Sequence, residues 1–167
     1  MKHAIDEFNE GHYEECIEIC SKEIEENRPH AIEARNLRGS LYMLRCQYQE
    51  AFEDFNHIIN HNCPSSMSTV CYKNMTGDHD SNDENEEKTR DFNNRRLKSN
   101  TFIKLTALNL QNSQETDAFA NYERAIEIDP NNEDIFCNRA QVYAMKNRFD
   151  ESFKDFDKVL GKFIKRS

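Results

Sequence analysis

The sequence has 167 residues, 37% of them hydrophobic, with four Gly, three Pro and no Trp. One domain is the natural expectation for that length; a mean hydropathy of -0.96 argues against a thick core, and the scarcity of turn residues beside abundant helix formers argues against a many-turned sheet. The formal net charge of -9 excludes the dense basic surface that a nucleic-acid or anionic-membrane binder needs, which leaves proteins as the expected partners.

The N-terminus, "MKHAIDEFNE", has no apolar signal core. No apolar run in the chain approaches the roughly 18 residues of a membrane span, so a soluble chain is expected. Six cysteines without a signal then read as free thiols in a reducing compartment. The same argument leaves the glycosylation-type triplet at 74–76 idle.

An internal repeat organises the chain. A small residue precedes a tyrosine by three in Gly39/Tyr42 and Ala140/Tyr143, and Thr106 holds the same register. Ala4 and Gly39 are 35 positions apart, Thr106 and Ala140 are 34, and this is the period of a tetratricopeptide helix-turn-helix unit. The second helix of each unit carries its own small residue with an aromatic four positions on: Ala51/Phe55, Ala118/Tyr122 and Ser152/Phe156. A small residue lets helices approach and the aromatic fills the space beside it, so each unit buries its apolar stripe against the next.

Taken in chain order, a shortened first unit runs from Met1 to about Glu26, with Cys16 and Cys20 in place of the small and aromatic residues. A second covers Ala31 to His61. Residues 62–94 are rich in Ser, Asn, Asp and Glu with little apolar periodicity, and are expected as a disordered acidic insertion, since they cannot offset the entropy of ordering. A third unit, Leu97 to Ile128, breaks at Asp129-Pro130, where proline cannot continue the helix. The fourth, Glu133 to Phe163, starts with acidic residues that suit a helix N-terminus. A basic tail, 164–167, is expected as a polar cap on it. The fold class that follows is all-α, a tetratricopeptide-type right-handed α-solenoid of about four helix pairs.

Sites of chemistry are few. His12, Cys16 and Cys20 stand one turn apart and offer zinc-type ligands, but they coincide with core positions of the repeat and lack a fourth donor. His57 and His61, with Cys63 nearby, lack the glutamate that zincin chemistry requires after the first histidine. No phosphate-cradling glycine loop or nucleophile elbow is present. Neither an enzyme, a metal nor a cofactor is expected.

Stacked helix pairs line a groove with their first helices, where an extended or helical segment of another protein can lie. In this register the groove residues are Leu37, Ser40, Met43 and Leu44; then Ile103, Lys104, Ala107 and Leu110; then Asn138, Gln141 and Met145. The lining is apolar with polar points. Met and Leu adapt to varied partners, so it suits hydrophobic segments better than one polar tail. The competing role for several of them, Leu37 and Leu110 above all, is packing between units.

The stretches "YEECIEICSKEIE", "LRGSLYML", "NTFIKL", "AIEIDPNNEDIF" and "FDESFKDFDKVL" together resemble the middle of the large tetratricopeptide receptors of the mitochondrial outer-membrane translocase. The resemblance covers nearly all of the chain outside 62–94. It implies a binding module for precursor proteins with apolar or amphipathic character, with other translocase subunits as further partners, placed on the cytosolic face of that membrane by an anchor not expected within these residues. The chaperone-tail clamp of such receptors uses Lys and Asn, then Asn, then Lys and Arg, because two carboxylates need paired cationic and amide donors. Met1, Ile5, Leu37, Asn100 and Lys104 stand there instead. Only Lys104 keeps a charge, so precursor segments are the expected ligands. A general co-chaperone adaptor is the alternative, and requires Arg35, Arg38 or Arg139 to complete a cationic pocket around Lys104.

Overall fold

The computed structural model describes residues 1–60 and 83–166. Among these the secondary structure is helical: α1 (Lys2–Glu10), α2 (Tyr13–Glu25), α3 (Ala31–Leu44), α4 (Tyr48–Asn60), α5 (Asp83–Gln111), α6 (Glu115–Ile128), α7 (Glu133–Met145) and α8 (Phe149–Arg166). They form all-α, tetratricopeptide-type helix pairs in two compact units, residues 1–94 and 95–167, with α5 spanning the boundary. The first unit holds the pairs α1/α2 and α3/α4. The second holds the end of α5 with α6, and α7 with α8.

Two boundaries differ from the compositional reading. The expected insertion is helical from Asp83 onward: 83–94 contains no Gly or Pro to break a helix, so low hydrophobicity did not prevent one that continues into the third repeat. The basic tail is likewise helix as far as Arg166. His61, Cys63, the 74–76 triplet and the rest of 62–82 lie outside the described residues.

Helix packing turns on one contact in the first, third and fourth repeats. The small residue of the first helix meets the small residue twelve positions later on the second. In the first repeat the Cys16 thiol donates to the Ala4 carbonyl at 3.1 Å. In the third the Thr106 hydroxyl lies 3.3 Å from the Ala118 carbonyl, and in the fourth the Ser152 hydroxyl donates to the Ala140 carbonyl at 2.8 Å. In the second repeat the small residue faces the aromatic instead, for a Cβ on Gly39 would lie 2.8 Å from the Phe55 ring. A polar atom at the crossing is thus tolerated because it finds a backbone acceptor there.

The corners within the repeats are also copies of one another. Gly11, Cys46, Ser113 and Asn147, each seven positions after the small residue, take positive φ values of 83°, 58°, 60° and 59°. The next backbone N–H then reaches back five residues, from His12 to Glu7, Gln47 to Tyr42, Gln114 to Asn109 and Arg148 to Tyr143, at 2.8–2.9 Å. This left-handed cap satisfies carbonyls that the helix end leaves open. Only Gly11 adopts it without a steric cost.

The corner between α6 and α7 is held differently. Asn132 caps α7 by accepting from the Asp134 N–H at 3.1 Å, and its amide donates to Ser99 Oγ at 2.8 Å and Asn100 Oδ1 at 2.7 Å. Arg96 meets Asp129 at 3.4 Å. Proline ends the helix, and these bonds set where the chain goes next.

Candidate functional site

The candidate residues lie at fixed offsets from the small residue of each first helix: three and two before it, and one, four and five after it. On a 3.6-residue helix these offsets fall within an arc of roughly 120°, a single face. In the first unit that face carries Leu37, Ser40, Met43 and Leu44 on α3. Leu44 is 67% exposed, whereas Ser40 and Met43 are half-buried. Leu37 packs against the core of Ala4, Cys16, Cys20, Ala34 and Leu41, so at least part of its side chain serves packing between repeats.

In the second unit the same face carries Ile103, Lys104, Ala107 and Leu110 on α5, and Asn138, Gln141 and Met145 on α7. Met145 is 82% exposed; Ala107 and Gln141 are exposed and the other four half-buried. Leu44 and Met145 occupy equivalent positions, five after Gly39 and Ala140. Helices α3 and α7 therefore each end this face on a flexible apolar side chain in water. Two of the polar points are engaged locally: Ser40 Oγ donates to the Asn36 carbonyl and Asn138 Nδ2 to the Asp134 carbonyl, both at 2.7 Å. Lys104 is largely withdrawn from water, and that desolvation pushes its pKa down to about 8.

One exposed apolar residue on these faces was not among the expected set. Ile5, 46% exposed on α1, stands one position after Ala4, where α3 has Ser40 and α7 has Gln141. Its place in the repeat register was the signal that could have found it.

The arginines that a cationic pocket would need are engaged inside the repeats. Arg38 grips Asp54 through two bonds of 2.8 Å, and Arg35 adds a third at 3.2 Å. Arg139 grips Asp155 in the same way at 2.7 and 2.8 Å. Asp54 and Asp155 are only 2% and 3% exposed, so each pair is a buried charge contact. Each arginine also reaches the second helix of the preceding repeat, Arg38 to Ser21 Oγ and Arg139 to Glu123, at equivalent positions. The sequence carries the motif, Arg just before the small residue and Asp just before the phenylalanine sixteen positions on, but its role depends on a contact that periodicity does not display.

The metal-type triad is also taken apart by the fold. Cys16 and Cys20 are in the core, and burial pushes the Cys20 thiol up to about 12, far from the thiolate a metal binds. His12 instead turns to Glu7 at 2.8 Å and Glu10 at 3.5 Å. His57 is half-buried in the last turn of α4.

A family model for the TPR repeat matches residues 107–147. The mitochondrial import receptor subunit TOM70 of Homo sapiens is 24% identical over 153 residues, 92% of this chain, and that of Rattus norvegicus is 26% identical over 150 residues, 90% of this chain. The chain spans 20% of the length of those relatives. The crystal structure of MamA aligns with 99% of this chain and 97% of its own at 19% identity and a TM-score of 0.37. The chain thus carries a tetratricopeptide region similar to part of the import receptor subunit. No helix among the described residues is long and apolar enough to cross a membrane.

Proposed function

We propose that this chain is a non-catalytic binding module that holds apolar or amphipathic segments of precursor proteins during import at the cytosolic face of the mitochondrial outer membrane. The observation that carries the reading is the recurrence of exposed Leu44 and Met145 at one repeat position on the open first-helix face. Long, unbranched or singly branched apolar side chains adapt to varied partners and lose water when covered. Arg35, Arg38 and Arg139 neutralise Asp54 and Asp155 instead of lining a pocket for an acidic tail. Similarity to the import receptor subunit supports the cellular setting, and other subunits of the translocase are further candidate partners.

Fluorescence anisotropy against two labelled peptides tests the proposal. An apolar internal segment of a mitochondrial carrier binds, and Leu44→Glu or Met145→Glu weakens it roughly tenfold or more, the scale expected for a charge placed in an apolar contact. An acidic Glu-Glu-Val-Asp tail does not bind. Capture of the tail alone overturns the reading in favour of a chaperone adaptor centred on Lys104.

A further inference from the structure

The corner between α1 and α2 shares its backbone with the other left-handed corners and differs from them in chemistry. Six positions after the small residue, the second and fourth repeats carry Arg45 and Lys146, which pair with Glu14 and Glu115, both at 2.6 Å. The first repeat has Glu10 in that place, a carboxylate where its equivalents are cations. Around it, at one position before the small residue and three and eight after it, stand His3, Glu7 and His12.

The corner brings these side chains together. Gly11, at a φ of 83°, turns the chain so that the His12 N–H reaches the Glu7 carbonyl at 2.9 Å. The His12 ring follows, with Nδ1 2.8 Å from Glu7 Oε2 and 3.5 Å from Glu10 Oε2. The donor atoms of these three residues all lie within 4.8 Å of one another. One turn earlier on α1, His3 places its Nδ1 3.5 Å from the other Glu7 oxygen. Glu7 is thus held between two imidazoles, and its side chain is only 19% exposed.

We propose that His3, Glu7, Glu10 and His12 form a binding site for a first-row transition dication of the zinc class. Tetrahedral bonds of about 2.0–2.1 Å set neighbouring donors roughly 3.4 Å apart. The spacings of 2.8 and 3.5 Å around His12 Nδ1 come within about half an ångström of that. Two carboxylates balance the charge of the ion. Imidazole nitrogen suits zinc and its neighbours, whereas calcium and magnesium take shells made of oxygen. On binding, the proton of the hydrogen bond between His12 and Glu7 leaves to solvent and the metal takes its place. Three of the donors belong to α1 and the fourth is the residue that precedes α2, so the ion pins the two helices of the first repeat at their corner.

Calorimetric titration of the full chain with zinc chloride reads the outcome. A zinc equivalent bound with a dissociation constant on the order of 1 µM is expected. Glu10→Gln and His12→Gln, at exposed side chains, each weaken it roughly tenfold or more. Glu14→Gln, a nearby carboxylate paired with Arg45, leaves it unchanged. Circular dichroism checks that the variants remain folded. At free zinc ten times the dissociation constant, amide exchange in α1 slows by roughly tenfold, as binding to the folded corner alone requires, while the corner at Cys46 exchanges as before. Failure to bind zinc overturns the proposal. So does uptake that survives both substitutions, which places the metal elsewhere, or equal weakening by Glu14→Gln, which reduces the effect to a general attraction of acidic surface.

Discussion

The second and fourth repeats carry a buried arginine clamp where the first and third do not. In the paired positions of the first repeat stand His3 and Ile19, and in the third Leu105 and Asn121. Each clamped repeat closes a unit by gripping its own second helix and reaching back to that of the repeat before. The difference shows that the repeats are equivalent in backbone geometry and unequal in what ties them to a neighbour. A hydrophobic stripe alone permits helix pairs to slide, whereas a bidentate guanidinium-carboxylate contact allows one angle.

The largest expected effect comes from breaking one clamp. Arg139→Leu strands Asp155 and should cost about 3–5 kcal/mol, because an unpaired carboxylate remains buried. Arg139→Leu with Asp155→Leu should recover most of that loss. Urea unfolding of both variants checks it, and equal destabilisation by the single and double variants would show that packing, not charge, holds the contact. If the clamp matters only within its own unit, hydrogen exchange in α1 and α2 should be unaltered.

A second comparison concerns the same position in the two clamped repeats. Gly39→Ala drives a Cβ against the Phe55 ring and should cost about 1–3 kcal/mol by overpacking. Ala140→Gly should cost roughly 1 kcal/mol, from helix propensity and the lost methyl. Thermal unfolding orders the two. Ala140→Gly proving the more costly would mean that the crossing in the second repeat is looser than its geometry implies.

The shared left-handed corner supplies the next. Ser113→Gly should stabilise by about 1 kcal/mol at most, since the native φ of 60° is one that glycine adopts freely. Gly11→Ser, the reverse change at the equivalent corner, should destabilise by a similar amount. Chemical denaturation of the pair tests whether the two corners are energetically alike.

The smallest effect belongs to the α1/α2 corner and depends on pH. The Glu7 hydrogen bond raises the pKa of exposed His12 above 6.5, opposed by desolvation and aided by the charges of Glu7, Glu10 and Glu15. A histidine with a raised folded pKa contributes stability that is fully present below the unfolded value and lost as pH rises through the folded one. Amide exchange at this corner should therefore be slower relative to the intrinsic rate at pH 5.5 than at pH 8. Glu7→Gln should remove the difference. No matching change is expected at the corner containing Ser113, which has no histidine in its place.

Much of the repeat pattern was legible because its signals are local. Gly39, Thr106 and Ala140 set the register of the first helices, and Ala51/Phe55 and Ala118/Tyr122 that of the second. Cys16 could be placed as a substitute for a small residue because burial and size, not chemistry, are what that position demands. The helix over 83–94 was not legible, since low hydrophobicity describes a segment without a core of its own and does not count the support of a longer helix into which it runs. The left-handed corners at Cys46, Ser113 and Asn147 were missed because only one of the four equivalents is glycine.

By itself the sequence determined the helical class, the period and the face on which Leu44 and Met145 fall, since these follow from residue size and spacing along one helix. Only the tertiary structure decided which of the candidates remained in water, that Leu37 contributes to the core, and that Arg38 and Arg139 meet buried aspartates. Those outcomes depend on distances between side chains on different helices, sixteen positions apart in sequence for each arginine-aspartate pair, and no local periodicity encodes a distance.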